Sequence, residues 1–109
     1  MNCIFCGIVA KEVPAGIRWQ NDQWIAFDDI HPKAQTHVLV VPKKHIASLL
    51  DAGDADEALV AGALGAIREV ARLLRLASYK VVSNNGTEAG QIVDHWHFHL
   101  LSGAIQDGV

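Results

Sequence analysis

Three histidines near the C-terminus alternate with large apolar side chains: His95, His97 and His99 are separated by Trp96 and Phe98. This alternation predicts a β-strand, because successive side chains of a strand point to opposite faces. The three imidazoles should therefore share one face, while the aromatic side chains face a core. Histidine changes charge near neutral pH, so such a face suits catalysis or metal binding better than packing.

The spacing along a strand limits what the three histidines can do together. Residues two apart lie about 6.6–6.8 Å from each other, so His95 and His99 are separated by roughly 13 Å. A zinc ion with Zn–N bonds of about 2.0–2.1 Å cannot bind all three. The three imidazoles must therefore have different roles, unless they are merely buried and hydrogen-bonded.

The chain contains two cysteines, Cys3 and Cys6, in a Cys-x-x-Cys arrangement. A disulfide across two residues would be strained, and a thioredoxin-like redox pair needs a preceding strand for which two residues leave no room. The pair would supply half of a tetrahedral zinc site, with two ligands still to be found elsewhere. Two interpretations of the cysteine pair remain. The two residues are either zinc ligands or thiols without a function.

The composition indicates one globular domain over residues 1–109. The 109 residues are 50% hydrophobic and carry a formal charge of -3, which is ordinary for a single domain with one core. The sequence has no basic stretch that could bind along a phosphate backbone, so a nucleic acid duplex is not an expected partner. No apolar run approaches the ~20 residues that span a bilayer, and the N-terminus does not resemble a signal peptide. We expect a cytoplasmic protein without membrane contact.

The pattern of elements predicts an α+β fold with a five-stranded antiparallel sheet, one long helix and short helical turns. The helix should begin with Asp54 as N-cap and Glu57 as its capping-box partner. A tight turn at Asn21-Asp22 predicts a hairpin over residues 17–28. The predicted strands are Ile17–Gln20, Trp24–Asp28, Thr36–Val41, Ser78–Asn84 and His95–Leu101.

The segment Gly90–Leu101 resembles the signature of the histidine triad family, in which three histidines alternate with apolar residues. Three other blocks resemble the nucleotide-binding branch of that family and occur in family order. They are Cys3–Val9, the central segments Ala26–Pro32 and Thr36–His45, and Val81–Gly86. The resemblance spans nearly the whole chain. It implies a homodimer whose sheets join across the interface.

The resemblance also implies an activity, the cleavage of purine nucleoside phosphoramidates or related adenylated compounds. The expected enzyme is a hydrolase or nucleotidyl transferase acting on phosphorus–nitrogen or phosphoanhydride bonds. His97 would be the nucleophile and form a covalent nucleotidyl-histidine, whose formation and cleavage replace one difficult step by two easier ones. His99 and His37 would act beside it on the phosphate. The alternatives are a nucleotide- and zinc-binding regulatory module with little turnover, and a dinucleoside polyphosphate hydrolase.

Further residues match the nucleotide-binding positions of the family. Asp29 and Ile30 correspond to the segment that holds ribose and base, and a carboxylate is a natural acceptor for ribose hydroxyls. Donors to the phosphoryl oxygens would come from Asn84 and the backbone of residues 90–92. Without the resemblance, Asn84 would be a turn residue, Asp29 a solvated acid and His37 a satisfied core histidine. The implied nucleotide-binding set is Asp29, Ile30, Asn84, Gly90, Gln91, Ile92, His97 and His99.

Some members of the family place zinc on ligands that match Cys3, Cys6, His45 and His95. This Cys₂His₂ set would be a closed, structural site. It agrees with the division that the strand spacing requires, since His95 would bind metal while the other two triad histidines face phosphate. Other members lack metal, and His45 could instead be an exposed histidine. A further departure is Ile92, which stands where many members carry a hydroxyl side chain near the phosphate.

Overall fold

A five-stranded antiparallel sheet forms the centre of the protein, in the order β1-β2-β3-β5-β4. The computed structural model describes residues 3–105. The strands are β1 (Ile17–Gln20), β2 (Trp24–Asp28), β3 (Thr36–Pro42), β4 (Lys80–Val82) and β5 (Phe98–Ser102). The helices are α1 (Ile4–Val9), α2 (Glu57–Ala61) and α3 (Ala63–Leu73), with 3-10 turns at Leu49–Asp51, Asp54–Asp56 and Thr87–Ala89. The antiparallel α+β fold is therefore confirmed.

The predicted hairpin is present and its turn has a clear cause. The side-chain oxygen of Asn21 accepts hydrogen bonds from the backbone N–H groups of Gln23 and Trp24, at 2.9 and 2.7 Å. A short acceptor side chain that bonds backbone two and three residues ahead is a local determinant of a turn. β2 then pairs with β3 from Trp24 opposite Pro42 to Asp28 opposite Val38.

The fifth strand is shorter than predicted, since it begins at Phe98 rather than His95. The pairing of β5 with β3 ends at Phe98, which lies opposite Val40. Continuing the ladder would bring the chain opposite Pro42, which has no N–H to donate. The Pro42 carbonyl instead accepts a hydrogen bond from the His95 ring at 2.8 Å. The alternation of side chains nevertheless continues backwards through this irregular segment.

The long helical stretch divides at Gly62 into α2 and α3. Its predicted N-cap was wrong: the side chain of Asp56, not Asp54, reaches back to the Gly53 N–H at 2.9 Å. Asp56 also forms an ion pair with Lys44 at 2.6 Å. This tertiary contact favours Asp56 over Asp54 as the acid that accepts the Gly53 N–H. The predicted strand at 78–84 is likewise reduced to three residues.

The two faces of the sheet carry different apolar layers. One core joins Trp24, Val40 and Leu100 of the sheet to Ile67 and Val70 of α3. The opposite face is covered by α1, whose Phe5 and Ile8 pack on β2 and β3. The sequence did not predict α1, because six residues are too short to be stable without such tertiary contacts. In the described residues, no helix is long and apolar enough to cross a membrane.

Candidate active site and metal cluster

A cleft of about 580 Å³ opens on the α1 side of the sheet. Its size suits a small organic ligand. The walls are largely apolar and come from α1, from the loop that follows it, and from β2 and β3. Polar groups gather on one side, where the chain brings together the candidate residues Asp29, Ile30, His37, Asn84, Gly90, Ile92, His97 and His99.

His97 is held with one ring nitrogen occupied and the other free. Its Nδ1 donates to the backbone carbonyl of His95 at 2.7 Å, which places the ring proton on Nδ1 and the lone pair on Nε2. Within residues 3–105, no protein group is hydrogen-bonded to that Nε2. Phe5 packs edge-on against the imidazole with ring centroids 5.3 Å apart. The arrangement leaves the Nε2 lone pair of the candidate catalytic residue His97 available at the cleft.

His99 and His37 lie beside it as a hydrogen-bonded pair. The His97 and His99 ring centroids are 5.1 Å apart, and His37 Nε2 lies 2.9 Å from His99 Nδ1. His37 is buried, and the backbone N–H of Lys33 donates to its Nδ1 at 3.0 Å. The structure thus brings the three candidate catalytic histidines together, although both ring nitrogens of His37 are engaged within the protein.

Burial keeps these imidazoles neutral. It lowers the pKa of His97, opposed by the hydrogen bond to the His95 carbonyl and by the Asp29 carboxylate. Burial also lowers the pKa of His37. It lowers the pKa of His99 to about 4, reinforced by the neighbouring His97 and His37. A neutral imidazole keeps its lone pair, so the lone pair of His97 stays available below the pH at which a free histidine would be protonated.

We expect an acid-dependent loss of stability that His99 causes in part. Its pKa is about 4 when folded and about 6.5 when unfolded. The unfolded chain therefore binds more protons between these values, so the contribution is complete above pH 6.5 and is lost as pH falls towards 4. The slope should stay below the about 1.4 kcal/mol per pH unit of one full proton, because the ring is partly exposed.

The measurement is urea unfolding of wild type and His99→Asn at half-unit steps from pH 8 to 4. The asparagine side chain can place an acceptor at the position of His99 Nδ1, where it serves His37, but it does not titrate. The difference between the two free energies of unfolding should change below pH 6.5 and be constant above it. A constant difference over the whole range would contradict the prediction.

The connection between β2 and β3 supplies Asp29 and Ile30. The Asp29 carboxylate accepts the backbone N–H of His31 at 2.8 Å and lies 3.4 Å from His37 Nε2. Its side chain is 18% exposed and lines the cleft beside His37. Ile30 is 79% exposed, and such an unpacked apolar residue at a cleft is suited to ligand contact.

The loop after β4 supplies the remaining candidates and is built on two glycines. Gly86 and Gly90 have φ values of +98° and +91°, which other residues rarely adopt. The Asn84 side chain donates to the Ala89 carbonyl at 2.7 Å, which closes the loop. Gln91 does not line the cleft. Its buried amide accepts from Gly86 N–H and donates to the carbonyls of Ala47 and Val93.

The backbone donors expected at residues 90–92 differ in availability. The N–H groups of Gly90 and Gln91 bond to the carbonyls of Thr87 and Gly86 within the loop. The N–H of Ile92 has no acceptor in the part of the chain that the structure describes. Ile92 is 91% exposed at the mouth of the cleft. It is therefore the position of this loop whose backbone N–H remains available to a ligand.

The second cluster joins Cys3, Cys6, His45 and His95. The sulfur of Cys3 lies 3.4 Å from His95 Nδ1, and that of Cys6 lies 3.2 and 3.7 Å from Nδ1 of His45 and His95. The two imidazole nitrogens are 3.2 Å apart. A tetrahedron with bonds of about 2.3 Å to sulfur and 2.0–2.1 Å to nitrogen has edges of about 3.3–3.8 Å. These residues can therefore hold a metal ion as they stand.

Two structural features prepare that cluster. His95 donates from Nε2 to the Pro42 carbonyl at 2.8 Å, which leaves the Nδ1 lone pair for a metal and fixes the ring orientation. α1 begins just after Cys3, which accepts the Cys6 N–H at its sulfur. One helical turn thus brings the two thiols together. Burial lowers the pKa of His95, opposed by the bond to Pro42.

Sequence reasoning missed the apolar wall of the cleft, above all Phe5. Its ring contacts His95 and His97, at centroid distances of 5.7 and 5.3 Å. A single aromatic residue between two cysteines gives no periodic signal. Its position follows from α1, and α1 is fixed by tertiary contacts. The other apolar wall residues include Ile4, Ile8, Val13, Phe27, Leu39 and Val93.

The geometry defines a class of α+β protein. Its sheet presents an imidazole to a small-molecule cleft, beside a Cys₂His₂ cluster. Residues 10–105 match the model of the HIT domain. An uncharacterized HIT-like protein from Synechocystis is 42% identical over 92% of this chain and 89% of its own length. The chain belongs to the HIT (histidine triad) family.

Two solved structures are similar along almost the whole chain. A HIT family hydrolase from Legionella pneumophila is 41% identical, with a TM-score of 0.87 and 94% of each chain covered. A histidine triad nucleotide-binding protein from Candida albicans is 34% identical, with a TM-score of 0.84, covering 99% of this chain and 81% of that one. Both share the sheet and helices described above.

Proposed function

We propose that this protein hydrolyses purine nucleoside phosphoramidates or related adenylated compounds through a covalent nucleotidyl-His97. The observation that carries the proposal is the orientation of His97. Its Nδ1 is bonded to the His95 carbonyl, and its Nε2 has no hydrogen-bond partner among residues 3–105 at the cleft. The Nε2 lone pair forms a bond to the α-phosphorus as the phosphorus–nitrogen bond to the amine breaks, and the amine leaves with a proton taken from solvent. A water molecule then cleaves the bond between His97 and phosphorus, giving its hydroxyl to phosphorus and its proton to solvent, and this restores the neutral imidazole.

The rest of the cleft suits a nucleotide. Asp29 offers a carboxylate oxygen for ribose hydroxyls, and the apolar wall around Phe5 and Ile30 offers a surface for a base. His99 and the Ile92 N–H would supply donors to the phosphoryl oxygens. The relatives named a hydrolase and a nucleotide-binding protein support the same assignment.

Trapping the intermediate tests the proposal. Protein quenched with denaturant at alkaline pH, where a phosphorus–nitrogen bond to histidine survives, should carry one added adenylyl group by intact-mass spectrometry during turnover of an adenosine phosphoramidate. Peptide mapping should place the adduct on the segment that contains His97, and His97→Gly should carry none. An adduct on another residue, or turnover with no adduct at any quench time, would reject the covalent route.

A regulatory module that binds nucleotide with little turnover is the second candidate. The exposed Ile92 favours it, because an aliphatic side chain at the mouth of the cleft offers no hydroxyl to the phosphate. Micromolar nucleotide binding without hydrolysis of phosphoramidates or dinucleoside polyphosphates would support this candidate over the first.

We assign zinc to the Cys₂His₂ cluster as a structural ion. Two thiolates and two imidazoles are a preferred ligand set for zinc, and four protein ligands leave no open position for substrate. The zinc would fasten α1 to the segment that precedes β5. Reduced cysteines also favour a reducing compartment such as the cytoplasm.

We also propose a homodimer that forms through the β4 edge of the sheet. β4 is an outer strand of the described sheet, and the outer strand of a sheet readily accepts another strand. Tyr79 and Val81 are exposed there, at 44 and 38%. Light scattering should give twice the chain mass for wild type, and Val81→Pro should yield monomers.

A further inference from the structure

The hydrogen bonds around His37 fix where its proton lies. The backbone N–H of Lys33 donates to His37 Nδ1 at 3.0 Å. A nitrogen that accepts a hydrogen bond holds a lone pair, so the one ring proton of neutral His37 is on Nε2. That nitrogen lies 2.9 Å from His99 Nδ1. His37 therefore donates to His99.

The same reasoning then fixes the proton of His99. Its Nδ1 accepts from His37, so the ring proton of neutral His99 is on Nε2. His99 lines the cleft, and no protein acceptor among residues 3–105 is bonded to that Nε2. A chain of donors thus begins at a backbone amide, passes through two imidazoles and ends at the ligand.

We propose that His37 is a positioning residue that keeps His99 neutral with its single ring proton on Nε2, so that His99 serves the substrate phosphoryl group as a hydrogen-bond donor and not as an acid. The proposal rests on the proposed function for the identity of the ligand. A protonated His99 would also need a proton on Nδ1. Two nitrogens 2.9 Å apart that already share one proton leave no room for a second.

The groups around the pair determine whether it takes up a proton. Asp29 lies 3.4 Å from His37 Nε2 and favours the cation, whereas Lys33 opposes it. Burial has the largest effect and lowers the pKa of His37, whose side chain is 1% exposed. Burial is also the main reason why the pKa of His99 is lowered to about 4. The neutral donor form of His99 therefore predominates at neutral pH.

The same tautomer argues against a second metal ion. Asp29, His37 and His99 lie close enough to bind one. His37 would then have to offer a lone pair from Nε2 and move its proton to Nδ1. There it would meet the Lys33 N–H, which points at Nδ1 from 3.0 Å. The cluster is therefore built for hydrogen bonding.

Two substitutions of His37 separate its hydrogen bonds. The amide nitrogen of His37→Gln reaches the position of Nε2 and can still donate to His99. The amide of His37→Asn reaches only the position of Nδ1 and keeps an acceptor for Lys33. Single-turnover adenylylation should be nearly retained in the glutamine variant and fall about 10- to 100-fold in the asparagine variant, as expected when the partner that orients a functional histidine is lost.

The ¹⁵N NMR chemical shifts of the His99 ring report its tautomer in the absence of substrate. Wild type and His37→Gln at pH 7 should show a protonated Nε2 and an unprotonated Nδ1, whereas His37→Asn should show exchange between tautomers. A doubly protonated His99, or a wild type protonated on Nδ1, would overturn the proposal. Because this readout needs no substrate, it stands even if the proposed phosphoramidate chemistry fails.

A leaving-group series distinguishes a donor from an acid. Adenosine phosphoramidates of amines with different basicity should lose the same factor in His37→Asn relative to wild type. If His99 were an acid, the loss would grow with the basicity of the departing amine. A loss that grows in this way would also overturn the proposal.

Discussion

Replacing His97 by glycine is expected to lower the turnover of an adenosine phosphoramidate by about 10³-fold or more, since removal of a covalent nucleophile costs several orders of magnitude. The His97 ring lies against Phe5 at the cleft, and its own backbone carbonyl accepts from Ser83 at 3.0 Å. That backbone bond does not depend on the imidazole. The loop and the apolar wall should therefore remain in place.

Binding of AMP, measured by calorimetry, should consequently change less than tenfold in His97→Gly. A matched control is Arg72→Ala, because Arg72 is exposed on α3 and pairs there with Glu69. The control should retain wild-type turnover. Turnover of His97→Gly within a few-fold of wild type would exclude a nucleophilic role, whereas loss of both turnover and binding would indicate a disturbed cleft.

The sequence predicted what local signals determine. Alternating side chains placed the three histidines on one face, and Asn21 marked the turn between β1 and β2. Both hold because their causes lie within a few residues. The start of β5 could not be obtained in this way, because it depends on Pro42 of a partner strand.

Side-chain roles were harder to predict than side-chain positions. Gln91 was expected at the nucleotide, yet its side-chain amide is hydrogen-bonded within the protein, to Gly86, Ala47 and Val93. Asn84 lines the cleft but closes the same loop. His37 reaches the cleft with both nitrogens engaged. Residue type and spacing do not reveal which hydrogen-bonding groups a fold has already satisfied, since those partners come from distant parts of the chain.

Removal of zinc should have the largest effect on stability. Purified protein is expected to contain one zinc per chain, and chelation should cost several kcal/mol of unfolding free energy. The cost should be below the about 10–16 kcal/mol of a zinc finger, because two apolar cores remain. Cys6→Ser should lose most of its zinc, while His31→Ala, at an exposed histidine outside the cluster, should keep it. Elemental analysis and urea unfolding with and without chelator measure both quantities.

Zinc removal should also impair catalysis through α1. The metal would hold Cys3 and Cys6 against His45 and His95, at the helix that carries Phe5. Because α1 has only six residues, it has little intrinsic stability without this link. Its release would withdraw Phe5 from His97 and loosen the tautomer-fixing bond to the His95 carbonyl. Hydrogen exchange should therefore rise first in residues 4–9, and turnover should fall in parallel. Unchanged exchange and stability in metal-free protein would show that the four ligands hold together without an ion.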